Sequence, residues 1–219
     1  MRQMKSSCQS FRITAFTLKE LLAIIAVAFV LVALAVPVLV KAKAKSRNIS
    51  CNCRLKQIGL SFRIFANDHG DAFPMTVSTN KGGSMEFVPT SEVFQHFRAM
   101  SNELSTPKVL VCPADKRKAA RSFAVLSNTN ISYFVSLDAV DTFPQMLLAG
   151  DRNLTTNGVP VGTGLLELTN NVSLGWTTAL HKNSGNVVLG DGSVQPFTNR
   201  RLLDQVAHSE VVTNRLLIP

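Results

Sequence analysis

The longest uninterrupted hydrophobic stretch of the chain lies near its start, at residues 21–40. At a rise of about 1.5 Å per residue, a helix of this length extends about 30 Å, which matches the hydrocarbon core of a bilayer. No second apolar run of that length follows. The pattern therefore predicts a single membrane-spanning helix, followed from Lys41 by one globular domain of ordinary size.

After this stretch, hydrophobic residues recur at alternating spacings of four and three. Such positions share one face of a helix, and here they are Cys51, Leu55, Ile58, Phe62 and Phe65. The membrane helix is therefore predicted to continue as an amphipathic helix. It should end near Asn67, because Gly70 suits the left-handed conformation that closes many helices. Pro37 removes a backbone hydrogen bond and is expected to kink or loosen the helix.

Short apolar segments farther along the chain predict four β-strands, at residues 109–112, 131–135, 146–149 and 186–190. Asp191 and Gly192 directly follow the last of these and indicate a hairpin with a type I′ turn. Segments 76–86 and 153–164 are rich in Thr, Asn, Gly and Ser and are predicted to be loops. The predicted fold class is α+β, with a long N-terminal helix packed on a small antiparallel sheet.

The formal net charge is +9, and part of it is concentrated just after the apolar stretch. No acidic residue interrupts this run of cations, which comprises Lys41, Lys43, Lys45, Arg47, Arg54 and Lys56. Cations in this position can contact anionic lipid headgroups. A nucleic-acid partner is not predicted, because the chain has neither a compact binding motif nor interleaved aromatic and basic residues.

The N-terminus permits other interpretations. Ala42-Lys43-Ala44 mimics a signal-peptidase site, but the apolar run exceeds the roughly 7–15 residues of a signal peptide. A plain anchor with a cytoplasmic domain agrees with the positive-inside rule. A lone lipid-facing anchor leaves Glu20 unexplained, because a carboxylate at the edge of the hydrocarbon is costly without a partner. Snorkelling of Glu20 to headgroup level is the remaining structural explanation.

Residues 15–22, AFTLKELL, resemble the cleavage and methylation signature of type IV prepilins. That family loses a short basic leader before a phenylalanine and has glutamate fifth in the mature chain. The resemblance implies that a prepilin peptidase cuts between Ala15 and Phe16, and that the new amine is N-methylated. It also implies that Glu20 pairs with the Phe16 amine of a neighbouring subunit, and that Pro37 occupies a position where pilin-like helices often carry proline. The family usually has glycine where this chain has Ala15.

Two further segments are similar to pseudopilin-like proteins of Planctomycetes and Verrucomicrobia, which are often described as type II secretion system proteins. The first is RLKQIGLSFRIFANDHGD at residues 54–71. The second resembles the C-terminal H…DG signature of those proteins, with His181 followed by Asp191 and Gly192.

These resemblances imply a pilin-like fold with four parts: a basic leader at 1–15, a transmembrane helix at 16–40, a soluble continuation of the helix at 41–67, and a periplasmic globular domain at 68–219. They imply a single-pass subunit of the inner membrane that assembles with other pseudopilin subunits, in a type II secretion or type IV pilus-like system. The alternative is a non-polymerising, membrane-tethered binding domain that is exported with the same signal.

No catalytic or metal-binding chemistry is predicted. The four histidines are widely separated, Cys51-x-Cys53 is not a CxxC motif, and no second cysteine pair completes a zinc site. His181, Ser184 and Asp191 are explained better as turn residues than as a catalytic triad. No enzyme, cofactor or metal is therefore expected. Calcium bound by Asp138, Asp141 and Asp151 is an alternative to a solvated acidic loop.

The cysteines allow one prediction about covalent structure. Cys8 would leave with the leader, and an exported domain favours a disulfide between the cysteines that remain. Cys51 lies on the apolar helix face and Cys53 does not. Cys51 and Cys112 are therefore the predicted pair, with buried free thiols as the alternative.

Overall fold

The structure of the chain is a computed structural model that describes residues 17–168, 172–208 and 214–219. The chain divides between Lys43 and Ala44 into two compact units. Helix α1 (Leu18–Asp68) begins in the first unit and ends in the second. As far as Lys43 all its side chains are exposed. Among the described residues, α1 is the one helix that is long and apolar enough to cross a membrane.

The later part of α1 forms one side of the protein core. All five residues of the predicted apolar stripe are buried, from Cys51 to Phe65. The helix passes through Pro37 without interruption and ends at Asp68, one residue beyond the predicted end. Gly70 follows with φ of 66°, and the Asp71 N–H donates to the Ala66 carbonyl at 2.8 Å.

Within the described residues, six strands form one antiparallel sheet in the order β5-β9-β1-β2-β7-β8, and three strands form a smaller sheet in the order β4-β3-β6. The strands are β1 (Tyr133–Ser136), β2 (Leu147–Asp151), β3 (Leu154–Thr156), β4 (Val159–Pro160), β5 (Gly164–Leu168), β6 (Leu174–Trp176), β7 (Ser184–Leu189), β8 (Val194–Thr198) and β9 (Asn214–Ile218).

Shorter helices connect these elements. The α-helices are α2 (Val93–Ala99), α3 (Ser101–Leu104) and α4 (Asn199–Ala207). Single turns of 3₁₀ helix occur at Pro74–Thr76, Thr79–Lys81, Met85–Phe87, Pro107–Leu110, Phe123–Val125 and Asn128–Asn130.

The larger sheet has a hydrophobic core on each face. Because successive side chains of a strand point to opposite faces, Tyr133 and Val135 join the core formed with α1, whereas Phe134 joins the core on the other face. The second core includes Trp176 of the smaller sheet and Leu202 of α4. The fold is therefore α+β, with a long N-terminal helix packed on an antiparallel sheet, as predicted and consistent with a pilin-like fold.

Two predictions about local structure are wrong. Residues 109–112 do not form a strand, because Pro107 starts a 3₁₀ helix that includes Val109 and Leu110. Segment 153–164 is not a simple loop, because it contains β3 and β4. Asn157 and Gly158 join these strands with φ of 50° and 80°, which is the type I′ geometry favoured by an Asn-Gly pair.

The β7–β8 hairpin is present as predicted, but the type of its turn is not. Gly192 has φ of 81°, whereas Asp191 has no positive φ. The Gly192 N–H donates to the Leu189 carbonyl at 2.8 Å, and the Leu189 N–H donates to the Ser193 carbonyl at 2.9 Å. This is a three-residue loop that ends in a left-handed glycine.

Gly59 of α1 lies against this loop. A Cβ atom added to Gly59 would lie 2.8 Å from Val188 Cγ1 and 2.9 Å from the carbonyl oxygen of Gly192. Real Cβ atoms essentially never show such contacts. The absence of a side chain at Gly59 therefore allows α1 to approach the hairpin that follows His181 in the sequence.

Replacing Gly59 by alanine tests this close approach. Helix propensity alone would make Gly59→Ala stabilising by about 1 kcal/mol. Overpacking against a backbone carbonyl costs roughly 1–3 kcal/mol, and we expect it to dominate, so that the variant unfolds at lower denaturant concentration. The fluorescence of Trp176, the single tryptophan of the chain, can follow unfolding of the full chain in detergent.

Gly162→Ala is the matched control, because no atom lies within 4 Å of its added Cβ. Its unfolding midpoint should remain close to that of the original chain. A Gly59→Ala variant that is more stable than the original chain would contradict the close approach.

Candidate functional site

The predicted assembly residue Glu20 lies in the first turn of α1 and has partners within its own chain. The backbone N–H and hydroxyl of Thr17 donate to Glu20 Oε2 at 2.9 and 2.8 Å. The Glu20 N–H lies 3.4 Å from Thr17 Oγ1. This is a capping box at the helix N-terminus. Glu20 therefore has hydrogen-bond partners within its own chain, in addition to the two explanations that the sequence suggests. The predicted processing residues Ala15 and Phe16 lie outside the described residues.

Most of the predicted lipid-facing cations are exposed, namely Lys41, Lys43, Lys45, Arg47 and Lys56. Arg54 differs, because its guanidinium donates to the Val111 carbonyl. It therefore joins α1 to the segment that carries Cys112 and is not free to contact headgroups.

Four side chains from four separate segments meet where α1 first becomes buried. They are Cys51 on α1, Cys112 after the 3₁₀ turn Pro107–Leu110, Asp151 at the end of β2, and His181 just before β7. One donor atom from each lies within 4.8 Å of the other three. Cys51, Cys112 and Asp151 have no exposed surface, and the His181 side chain is 4% exposed.

The distances within this cluster are short. Cys51 Sγ donates to Asp151 Oδ1 at 3.2 Å. His181 Nε2 lies 3.4 Å from Cys112 Sγ and 3.4 Å from Asp151 Oδ2. The carboxylate thus contacts the sulfur of Cys51, the imidazole contacts the sulfur of Cys112, and the two groups contact each other.

Neighbouring groups hold the ligand atoms in place. Asp151 Oδ2 accepts hydrogen bonds from the Asn186 backbone N–H at 2.7 Å and from its side-chain Nδ2 at 3.0 Å. The Tyr133 hydroxyl lies 3.4 Å from Cys51 Sγ. The Ala114 N–H donates to Cys112 Sγ at 3.4 Å.

An ion pair joins the segment after Cys112 to the segment after β2. Arg152 Nε and Nη2 donate to the Asp115 carboxylate at 2.8 and 3.0 Å, and the Ser132 hydroxyl donates to it at 2.8 Å. Burial favours the neutral acid, but the bonds from Arg152 and Ser132 outweigh it and hold the pKa of Asp115 below its usual value. The pair thereby fixes Cys112 relative to Asp151.

Burial and mutual contact shift the pKa values of the four residues of the cluster. The contact with Cys51 and, beyond it, the bonds with His181 and Ala114 outweigh burial and lower the pKa of Cys112 to about 5. Burial raises the pKa of Cys51, and burial together with the charge of Cys112 raises the pKa of Asp151 to about 6. Burial lowers the pKa of His181, but Cys112 and Asp151 outweigh this and raise it. The cluster thus places anionic groups and a cation in a site that water barely reaches.

A cleft of about 510 Å³ opens beside His181. Its lining includes three cationic side chains, Lys45, Arg47 and Lys182. The cluster therefore borders a positively charged cleft on the side of His181.

The structure bears on two predictions about these residues. Cys51 and Cys112 are neighbours as predicted, but both are free cysteines and do not form a disulfide. Their thiols instead take part in the contacts of the cluster with Asp151 and His181. The sequence spacing predicts no metal-ligand set, but folding brings together four residues that could hold a metal ion. Cys53 is exposed and lies outside the cluster.

Other candidate residues are not brought together. Ser184 Oγ donates to the His181 backbone carbonyl at 2.5 Å, and Asp191 accepts from the Ser193 N–H in the hairpin loop, so these three do not form a triad. The three aspartates considered for calcium also separate. Asp138 pairs with Arg215, Asp141 with Arg63, and Asp151 lies in the cluster.

Alkylation of the full chain tests the free-thiol state. Under native conditions Cys53 should react first, and the buried Cys51 and Cys112 on the order of 100-fold more slowly, because local opening of a core costs a few kcal/mol. After denaturation with a chelator and without reductant, both should be alkylated, as shown by peptide mapping. If they react only after a reductant is added, the two residues form a disulfide.

No protein-family model, curated protein or solved structure matches this chain.

Proposed function

We propose that the chain is a pseudopilin-like structural subunit of a type II secretion or type IV pilus-like system. A prepilin peptidase cleaves it before Phe16, the new amine is methylated, and the subunit is held in the inner membrane with its globular domain in the periplasm. It assembles with other pseudopilin subunits through α1. In this proposal the chain has no catalytic role.

The observation that carries the proposal is the apolar and fully exposed first part of α1, which has one carboxylate at its start. Large hydrophobic side chains are exposed all around this part, including Leu22, Phe29 and Leu34. An exposed apolar surface of this extent requires lipid or other apolar helices as its surroundings. Helix α1 continues into the core of the second unit. Packing of the α1 helices of several subunits in the membrane would therefore bring their globular domains together.

The capping box is compatible with a role for Glu20 in assembly. Both bonds from Thr17 go to Oε2, and a carboxylate offers about four acceptor positions. The Phe16 amine of a neighbouring subunit can therefore bind Glu20 without displacing Thr17. Such a pair at the membrane boundary would fix the axial register between adjacent helices.

The capping box also favours a second candidate, a membrane-tethered binding domain that does not polymerise. In that case Glu20 and Thr17 serve only to start the helix. The two functions differ in what they require of Glu20: assembly needs its charge, whereas capping needs only an acceptor oxygen.

Two substitutions separate charge from capping. Glu20→Gln keeps an acceptor for the Thr17 N–H and removes the charge. Thr17→Val keeps the charge and removes the hydroxyl, at a capping cost of about 1 kcal/mol. We expect Glu20→Gln to reduce cross-linked oligomers in native membranes about ten-fold, which corresponds to about 1.4 kcal/mol of lost pairing. Thr17→Val should assemble nearly as well as the original chain.

Intact-mass analysis of the same membrane extracts controls for processing, and both variants should begin at methylated Phe16. Oligomers at the original level in Glu20→Gln would contradict assembly through the Glu20 charge. An equal loss in both variants would indicate that helix capping is the important interaction.

A further inference from the structure

We propose that Cys51, Cys112, Asp151 and His181 bind one Zn²⁺ ion, which connects helix α1 to the sheet. The proposal concerns the second unit of the chain and does not depend on whether the subunit polymerises. It assigns a shared role to four residues that belong to separate parts of the sequence.

The donor set fits zinc. Structural zinc sites have four protein ligands, usually drawn from cysteine thiolates, histidine nitrogens and carboxylates, and leave no position open for substrate. Two thiolates favour a borderline-soft ion such as Zn²⁺ over Mg²⁺ or Ca²⁺, which prefer oxygen ligands. All four donors here are buried, so a bound ion would have a closed site.

The distances also fit. With Zn–S near 2.3 Å and Zn–N and Zn–O near 2.1 Å, a tetrahedral site places neighbouring ligand atoms about 3.4–3.8 Å apart. Cys112 Sγ and His181 Nε2 are 3.4 Å apart, as are His181 Nε2 and Asp151 Oδ2. Cys51 Sγ lies 3.2 Å from the other oxygen of the Asp151 carboxylate, Oδ1, which is slightly closer than this spacing. All four donor atoms lie within 4.8 Å of one another, so shifts of about 1 Å or less complete the tetrahedron.

The surrounding groups are those that orient metal ligands. Asn186 fixes Asp151 through two hydrogen bonds, and the Ala114 N–H and the Tyr133 hydroxyl approach the two sulfur atoms. Two thiolates, one carboxylate and a neutral imidazole around Zn²⁺ carry one net negative charge. The cationic side chains of the adjacent cleft, Lys45, Arg47 and Lys182, complement that charge.

A divalent cation also resolves an electrostatic difficulty of the cluster. Buried anionic groups are costly unless they are paired or coordinate a metal. Here two thiols and a carboxyl group, all without exposed surface, face one imidazole. A bound Zn²⁺ would satisfy all four at once and, by joining four segments, would stabilise the folded unit over the unfolded chain.

The test uses the full chain, extracted in detergent without chelators and protected from oxidation. Elemental analysis should find one zinc per chain. Replacing zinc by Co²⁺ should produce the visible bands of tetrahedral cobalt together with a thiolate-to-cobalt charge-transfer band. Because these measurements use the original chain, they do not depend on whether a variant folds. Removal of zinc by a chelator should lower the melting temperature, and addition of Zn²⁺ should restore it.

The variants assign the ligands. Cys51→Ser and Cys112→Ser should lose zinc and the charge-transfer band, whereas Cys53→Ser, an exposed cysteine two positions away, should retain both. Asp151→Asn should bind zinc at least about 100-fold more weakly in competition with a chromophoric chelator. The proposal is overturned if the original chain binds neither zinc nor cobalt, if iron or copper replaces zinc, if Cys51 and Cys112 form a disulfide, or if Cys53→Ser loses zinc as Cys51→Ser does.

Discussion

Burial of one face of α1 against the larger sheet is the interaction on which the rest of the structure depends. Leu55, Ile58, Phe62 and Phe65 are at most 2% exposed, and full burial of each such side chain contributes about 1.5–3 kcal/mol. Together they contribute on the order of 10 kcal/mol, which is comparable to the whole stability of a typical domain. The second unit therefore includes this part of the helix as an integral layer of its fold.

The same packing assembles the cysteine, aspartate and histidine cluster. Neighbouring strands β2 and β7 bring Asp151 close to His181, and the helix places Cys51 over them. Arg54 of α1 binds the carbonyl next to Cys112. The cluster thus forms only when the helix, the sheet and the segment after Pro107 are all in place, so that a bound metal would favour the complete fold over partly folded forms.

Local patterns predicted much of this fold. The helical stripe and the end of α1 depend on residues close in sequence. All five stripe residues are buried as predicted, and the helix ends one residue beyond its predicted end. The β7–β8 hairpin is also predictable from the local sequence. Its type I′ turn is not, because a left-handed glycine can instead close a three-residue loop. The Asn157-Gly158 pair favours the β3–β4 hairpin. The polar residues around it are typical of a loop, so the hairpin is not predicted.

The cluster could not be predicted in this way, because its four residues share no motif and meet only through strand order and helix packing. Glu20 illustrates the opposite case. Thr17 and Glu20 have the spacing of a capping box. The sequence therefore contains this signal, but the same two residues also belong to the segment that resembles the prepilin signature.

Amide hydrogen exchange of the full chain in detergent tests most directly whether α1 is an integral layer of the domain. Amides of residues 55–66 should exchange through the same global unfolding as those of β1 and β2, with free energies that agree within about 1 kcal/mol. Exchange of this helix segment through a separate opening, several kcal/mol easier than that of the sheet, would contradict the integral role of α1.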